Sequence, residues 1–220
     1  MELLSHSIIG KGESWGSLID NDVVFDEVGL PYFPARRLKG LLRESSYEVV
    51  DMLRLSKIDL FDYEQVIKEA FGFSGASRGS MLVFNNLHIP DYDTALKWLQ
   101  WGIPEFPSII SPNVVINHFT EMRQQTAIGN DGVGDPNSLR VSRVLKPGLI
   151  FEGSVFIKED DPNIIKLLAL SIANLRYVGT MRHRGYGEVE CTLWMDEDNI
   201  SEETVCRLEG RLQADVCTRL

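Results

Sequence analysis

Two strand–helix–strand patterns, one in each half of the sequence, most constrain what this chain can fold into. In the first, strand-like residues 18–25 precede apolar residues at helical spacing over 35–53, and a strand resumes over 80–89. In the second, the alternating stretch 149–157 precedes an apolar helix, and 186–195 closes as a strand. This order predicts an α+β fold, a ferredoxin-like (RRM-like) sandwich, rather than a parallel sheet.

Capping residues mark the predicted helix boundaries. The helix predicted over 63–71 ends at Gly72, since glycine is favoured just past a helix C-terminus. A short helix is predicted over 93–101. Asp161 and Pro162 are an N-cap and first-turn pair that opens the helix of the second pattern, which we expect to run to about residue 176.

Between the two patterns lies a predicted insertion, at about 102–148. Its first part, 102–112, is a proline-containing loop. Residues 114–127 and 139–145 are predicted to be the two arms of a long hairpin. The turn-rich stretch 129–138 joins them, and we expect this tip to be mobile.

The composition is that of an ordinary globular chain, with 44% hydrophobic and 25% charged residues among 220. The longest apolar stretch, 164–175, is interrupted by Lys166 and is too short to cross a bilayer. The first residues lack the basic region of a secretory signal, so we expect a cytoplasmic protein without a membrane partner. Three cysteines without a CxxC pair indicate neither a disulfide framework nor a zinc site.

The charge distribution matters more than the net charge of -10, which by itself argues against a nucleic-acid ligand. Nine acids and two bases lie in 188–217, whereas 31–43 and 176–187 contain bases and no acid. An acidic protein with two such segments is predicted to bind an anionic polymer on one face. Solvated helix and loop surfaces are the alternative that charge alone leaves open.

Motifs for other chemistries are missing from the sequence. The spacing GxGxxxG at Gly10–Gly16 is one residue too long for a dinucleotide fingerprint, and GxxxxGK[ST] and GxSxG do not occur. The histidines stand far apart without HExxH spacing. We therefore expect no organic cofactor.

Three acids stand at strand spacing in the first strand-like segment. Asp20, Asp22 and Asp26 are predicted to share one face with Val24. The opposite face takes Ile19, Val23 and Phe25. The carboxylates are candidates for holding a divalent cation or for serving as a general base. A solvated sheet edge is the alternative.

Both basic segments have features that suit phosphate. In PYFPARRLKGLLRES a helix N-terminus carries guanidinium and ammonium groups. In RYVGTMRHRGYGEVEC glycines allow close approach of a ligand to the backbone, bases supply charge and a tyrosine offers a stacking surface. The predicted RNA-binding residues are Arg36, Arg37, Lys39, Arg43, Arg123, Gly179, Arg182, His183, Arg184, Gly185, Tyr186 and Gly187.

Taken together, the PxxPxxxLKGxxR helix, the FG…G…LVF strand and the GxxRxRGYGxVE loop resemble the RAMP superfamily of CRISPR-associated proteins. The resemblance spans 2–195, and SLIDNDVV before the LKG helix is most similar to the backbone subunit of type III effector complexes. It implies a single RAMP domain over 1–195 and an acidic extension over 196–220. It also implies guide RNA, target RNA and other Cas proteins as partners in antiviral defence.

Several site residues follow from the resemblance alone. Asp20 stands where the family's aspartate cleaves target RNA, with a divalent cation, Mg²⁺ or Mn²⁺, as the implied cofactor and Asp20 as its ligand. Asp26 matches a second family acid, and Asp22 is a further supporting acid. The 114–145 hairpin, which carries Arg123, resembles the family's thumb.

Alternatives remain open within and outside this family. Residues 35–37 read Ala-Arg-Arg where many members have Gly-Ser-Ser, a departure that resembles capping subunits, which hold the guide's 5′ handle without catalysis. A guide-processing endoribonuclease would use a histidine base, with His6 or His118 as candidates. The alternative from another functional class is a noncatalytic module that docks a neighbouring subunit through the acidic C-terminus.

Overall fold

The structure is a computed structural model that describes residues 1–10, 20–73, 79–126 and 139–217. The chain divides into two compact units, each assembled from three segments. The first unit comprises Met1–Pro34, Asn86–Gly153 and Tyr177–Val189. The second comprises Ala35–Asn85, Ser154–Arg176 and Glu190–Leu220. The organisation as one domain over 1–195 with an extension stays a prediction.

Helices and short strands alternate along the described chain, which confirms the α+β class. The helices are α1 (Ala35–Leu55), α2 (Tyr63–Phe71), α3 (Tyr92–Glu105), α4 (Pro112–Phe119), α5 (Pro162–Asn174) and α6 (Ile200–Cys217). The strands are β1 (Glu2–Leu3), β2 (Tyr32–Phe33), β3 (Leu82–Phe84), β4 (Leu87–His88), β5 (Thr120–Gln125), β6 (Arg140–Leu145), β7 (Val155–Ile157), β8 (Val189–Glu190), β9 (Trp194–Met195) and β10 (Asp198–Asn199). A 3₁₀ turn occupies Arg182–Arg184.

The first unit contains the predicted hairpin. β5 and β6 pair antiparallel, with Thr120 opposite Leu145 and Gln125 opposite Arg140. The predicted tip, 129–138, lies outside the described residues. β2 pairs antiparallel with β4, and a buried apolar cluster packs around α3 and α4. The buried members of that cluster are Val28, Leu30, Leu99 and Val115.

The second unit is organised around α1 and α5, which pack against each other. The face that α1 buries follows the predicted helical spacing, with Leu38, Leu42, Val49 and Leu53 among its members. The Ser45 hydroxyl, buried in this interface, donates to the carbonyl oxygen of Ser171 at 2.7 Å, so the polar group is satisfied where it is desolvated. α6, in the predicted acidic extension, also packs on α5.

Local capping decides several boundaries as predicted. The Asp62 carboxylate accepts from the N–H of Gln65, and the helix ends at Gly72, which has a φ of 75°. At the start of α5, the Asp161 carboxylate accepts from the N–H of Asn163 and Pro162 occupies the first turn.

The prediction was wrong for part of the insertion. α3 continues through Pro104 to Glu105, and α4 occupies Pro112–Phe119, where a hairpin arm was expected. The hydroxyl of Ser111 accepts from the N–H of Val114 at 3.4 Å and Pro112 follows it, so this pair is an N-cap and first-turn signal like the one that opens α5. The first arm of the hairpin is confined to β5.

The other predicted strands are shorter than expected because the chain changes pairing partners. Residues 80–89 divide into β3, which pairs with β7, and β4, which pairs with β2. Residues 20–26 form isolated bridges to three different places rather than one ladder. Those bridges are Asn21 with Ser142, Val23 with Gly10, and Phe25 with Pro31.

The predicted alternation of faces in this segment is also incomplete. Val23 and Val24 are both buried, at 0% and 7% exposure, although strand geometry assigns them to opposite faces. No helix of the described residues combines the length and apolar character needed to span a membrane.

Candidate nucleic-acid interface

The glycine-rich segment of the first unit, residues 178–187, is a closed loop held by backbone hydrogen bonds. The N–H of Val178 donates to the carbonyl of Gly187 at 2.7 Å, which closes the loop. The N–H of Gly187 donates to His6 O at 2.8 Å, and that of Thr180 to Ile8 O at 3.1 Å. The loop is therefore anchored on the segment that follows β1.

At two of its glycines a side chain would collide with neighbouring backbone. A Cβ on Gly179 would lie 2.3 Å from Ile8 O, and one on Gly187 would lie 2.0 Å from Val178 O. Both residues have a positive φ, at 75° and 80°. A Cβ on Gly185 meets no described atom within 4 Å, so of the three predicted glycines it has open space beside it.

The loop presents its cations to solvent. Arg182, His183 and Arg184 form the 3₁₀ turn, and all three are exposed. The Nε of Arg182 donates to Gly179 O at 3.1 Å, which holds the guanidinium beside the loop. Among the described residues none of the three forms an ion pair with a carboxylate. The hydroxyl of Tyr186 accepts from Gln125 at 3.1 Å, which ties the loop to the end of β5.

Arg123, the predicted ligand on the hairpin, belongs to a different arrangement. Its Nη2 lies 3.3 Å from the Glu121 carboxylate and 3.0 Å from Nε2 of His6. That His6 nitrogen is also 3.3 Å from Glu121. The charge of Arg123 is thus partly balanced within the protein. The other candidate base, His118, packs edge-on against Phe119 at 5.0 Å between ring centroids.

Asp20 is tied to the second arm of the hairpin. Its N–H donates to Val141 O at 2.8 Å, and its Oδ2 accepts from the N–H of Val141 at 2.7 Å. The residue is exposed. Two hydrogen bonds to Val141 hold the residue, one of them through the carboxylate, so the carboxylate has a defined position with little burial.

Asp22 and Asp26 have other partners. Nη1 of Arg143 donates to the Asp22 carboxylate at 3.1 Å. Asp26 Oδ1 accepts from the N–H groups of Val28 and Leu30, at 3.0 and 2.8 Å, and so holds the turn before β2. Within the described part of the chain, no three His, Cys, Asp or Glu residues are grouped to hold a metal ion.

The basic helix of the second unit forms a compact group of cations. Arg36, Lys39 and Arg43 share one face of α1 at i, i+3 and i+7. The ammonium of Lys39 donates to the Ser80 hydroxyl at 2.7 Å, and that hydroxyl donates to Leu82 O at 3.0 Å. The helix face is therefore attached to the start of β3. Arg37, on the adjacent side of α1, is half-buried.

Sequence reasoning missed a further cation, Lys158. Its Nζ lies 3.6 Å from the position that a Cβ on Gly79 would take, directly beside Ser80. Burial, then the positive charges of Lys158 and Arg43, lower the pKa of Lys39. We call Lys39, Arg43 and Lys158 the Ser80 cation cluster. The pairing of β3 with β7 brings Lys158 beside Ser80. In the sequence, the FG…G…LVF motif that ends in β3 was the signal that marked this place.

Comparisons with known proteins agree with the motifs. The model of the RAMP superfamily matches residues 1–190. No curated protein matches the chain. Among solved structures, a chain of the type III-B Cmr-beta complex bound to cognate target RNA is 16% identical, with a TM-score of 0.61, over 86% of this chain and 93% of that one. A chain of the apo Cmr-beta complex is 17% identical, with a TM-score of 0.63, over 89% and 95%.

The family match and the structural matches support different conclusions. At 16–17% identity the solved structures establish a shared fold. The family model covers all three motif segments, from the LKG helix to the basic glycine loop, and extends well beyond half of the chain. On that match, this chain belongs to the RAMP superfamily.

Proposed function

We propose that the chain is an RNA-binding subunit of a type III CRISPR effector complex, in the place of a backbone subunit along the guide RNA. The observation that carries the proposal is the Ser80 cation cluster. None of its three cations forms an ion pair with a carboxylate among the described residues. Burial, then repulsion from Lys158 and Arg43, lowers the pKa of Lys39, and a phosphate that binds beside the three cations would offset that repulsion.

The chemistry of the cluster indicates the kind of contact. Ammonium and guanidinium groups on a helix face bind phosphate oxygens and do not read base edges. Binding should therefore be independent of sequence and should depend on salt. The exposed bases of the glycine-rich loop offer the same chemistry in the first unit.

The relatives support this assignment. A solved neighbour of the same fold is a chain of a Cmr-beta complex bound to target RNA. Guide RNA, target RNA and other Cas proteins are the partners that we propose, with the cytoplasm as the compartment and antiviral defence as the role. We assign the fold to the ferredoxin-like sandwich within the α+β class.

The test compares two lysines of the cluster with a lysine outside it. Lys39→Gln with Lys158→Gln should weaken the binding of single-stranded RNAs of different sequence by similar factors, measured by fluorescence anisotropy. The slope of log K against log salt should become shallower by about 1.4, which is 0.7 for each of two phosphate contacts. Lys166→Gln, at an exposed position on α5, is the matched control. Unchanged affinity and slope in the double variant would refute the cluster as the RNA site.

Cleavage of target RNA is a further part of the proposal, with Asp20 as the catalytic carboxylate. Mg²⁺ is usually bound through one or two carboxylates together with substrate phosphates. Asp20 would supply the carboxylate, and Mg²⁺ or Mn²⁺ would neutralise charge that develops on the phosphate. The Asp20 carboxylate accepts one of the two hydrogen bonds with Val141, and this bond holds it in place, so little reorientation is needed when RNA binds.

A further inference from the structure

The β3–β7 pair of the second unit has one buried face and one exposed face. The strands run antiparallel, with Leu82 opposite Ile157, Val83 opposite Phe156 and Phe84 opposite Val155. Residues directly opposite each other point to the same face, and the next residue along each strand points to the other. Leu82 and Phe84 are buried, whereas Val83 is 42% exposed and Phe156 is 67% exposed. The pair therefore presents an aromatic ring to solvent.

Lys158 extends this exposed face to the Ser80 cation cluster. Its N–H donates to Met81 O at 3.1 Å, so the pairing of the two strands continues beyond β7. Lys158 follows Phe156 by two residues, which puts both on the same face, about 7 Å apart along the strand. The ammonium of Lys158 lies beside Gly79, next to the hydroxyl that accepts from Lys39. The exposed ring and the cations are thus neighbours.

The charge of this face favours an anionic partner. By the alternation of the two strands, its residues are Met81, Val83, Asn85, Ser154, Phe156 and Lys158. No acid stands among them, and the amide of Asn85 donates to the Ser154 hydroxyl at 2.9 Å. An open ring beside cations that form no ion pair with a described carboxylate suits a ligand that has both flat rings and negative charge. Nucleic acid has both, with one sugar between each phosphate and its base.

We propose that Phe156 is a stacking residue for a base of the RNA whose phosphate binds the Ser80 cation cluster. This step rests on the proposed RNA-binding function and adds a base contact to its phosphate contacts. Val83, opposite Phe156 on the same face, lies beside the stacked base. Every base has a π face, so stacking on a phenylalanine is tolerant of sequence and agrees with sequence-independent binding.

Variants of Phe156 separate stacking from simple apolar contact. Phe156→Ala should weaken the binding of short single-stranded RNAs of adenine and of uracil about tenfold, measured by fluorescence anisotropy on the full chain. Phe156→Leu keeps apolar bulk without a ring and should lose nearly as much. Phe156→Trp keeps an aromatic face and should bind at least as tightly as wild type. The slope of log K against log salt should stay that of wild type, because no cation is removed.

RNA without bases tests the contact itself. An abasic oligonucleotide of the same length presents the phosphates alone, so Phe156→Ala and wild type should bind it equally. Lys39→Gln with Lys158→Gln should still weaken that binding. Phe106→Ala, at an exposed phenylalanine of the first unit, is the matched control and should bind RNA as wild type does. Thermal unfolding checks that each variant is folded.

Three results would each overturn the proposal: wild-type RNA affinity in Phe156→Ala, full affinity in Phe156→Leu, or an equal loss in Phe156→Ala on RNA with and without bases. Sedimentation velocity covers the other kind of occupant. If Phe156→Ala lowers self-association and leaves RNA binding unchanged, stacking is wrong and the face is a protein interface.

The outcomes for stacking and for the proposed function are separable. Weaker RNA binding in the lysine double variant, with wild-type binding in Phe156→Ala, would refute the stacking contact alone. Weaker binding in Phe156→Ala, with wild-type binding in the lysine double variant, would refute the cluster as the phosphate site and leave the stacking contact standing.

Discussion

Arg143 Nη1 donates to the Asp22 carboxylate at 3.1 Å, and this contact ties β6 to the segment that carries the candidate acids. The pair is largely shielded, with side-chain exposures of 15% for Arg143 and 29% for Asp22. Asp22 also accepts from the N–H of Val23 at 2.9 Å. Asp20, two residues earlier, is exposed and bonds only to backbone among the described residues. Asp22 therefore forms a shielded ion pair within the fold, whereas the carboxylate of Asp20 is exposed to solvent.

The first prediction concerns stability. Asp22→Ala should lower the free energy of unfolding by about 1–3 kcal/mol, because it leaves the Arg143 guanidinium partly buried without its charged partner. Asp20→Ala should cost less than about 1 kcal/mol, because Asp20 is exposed and water can replace its hydrogen bond with Val141. Urea unfolding of both variants measures the difference.

A double-mutant cycle with Arg143→Met isolates the interaction. The Asp22→Ala cost should largely disappear in the Arg143→Met background. Equal costs in both backgrounds would show that the ion pair does not stabilise the fold.

The second prediction concerns cleavage. In a reconstituted effector complex, Asp20→Ala should abolish metal-dependent cuts in target RNA and leave guide and target binding nearly unchanged, because an anionic side chain near phosphates adds nothing favourable to affinity. Glu105→Ala, at an exposed position that ends α3, is the control. Gel analysis of cleavage with and without a chelator gives the readout. Persistent cleavage by the Asp20→Ala complex would leave the chain as a noncatalytic guide-binding subunit.

The third prediction concerns Tyr92, whose hydroxyl donates to Asp26 Oδ2 at 2.9 Å. Burial, then the hydrogen bond to Asp26, raises the pKa of Tyr92 from 10.0 to about 12. The folded state therefore holds this proton more tightly than the unfolded state, and stability from the Tyr92–Asp26 bond is present below pH 10 and lost as pH rises through 12.

Tyr92→Phe provides the comparison. The difference in unfolding free energy between wild type and Tyr92→Phe should be constant from pH 8 to 10 and should shrink above it. Absorbance titration should show a tyrosine that ionises about two units late in wild type only. A difference that stays constant to pH 12 would contradict the assigned bond.

The fourth prediction separates two glycines of the basic loop. Gly185 and Gly187 both have a positive φ, so alanine at either position should cost about 1–2 kcal/mol in backbone strain. Gly187→Ala should cost about 1–3 kcal/mol more, because its Cβ would overlap Val178 O. Thermal unfolding of both variants measures the gap, and equal destabilisation would refute the packed loop geometry.

Local pattern was sufficient for the helices that have both apolar spacing and caps. α1, α2 and the start of α5 lie where they were predicted, since periodicity, Gly72 and the Asp161–Pro162 pair act within a few residues. α4 was missed although Ser111 and Pro112 provide a similar signal, because β-branched residues after it favour a strand. The strand lengths were overestimated, since pairing depends on which distant segment lies alongside.

The sequence by itself determined the α+β class, the family and the chemistry of the basic segments, because each is written in residues close together along the chain. Only the tertiary structure decided which partner each charged group meets. Lys158 joins Lys39 from more than a hundred residues away, and Arg143 reaches Asp22 across a similar separation. Such contacts depend on strand pairing and packing between distant segments, so local spacing in the sequence cannot predict them. They distinguish Asp22, which we expect to stabilise the fold, from Asp20, which is exposed and available for chemistry.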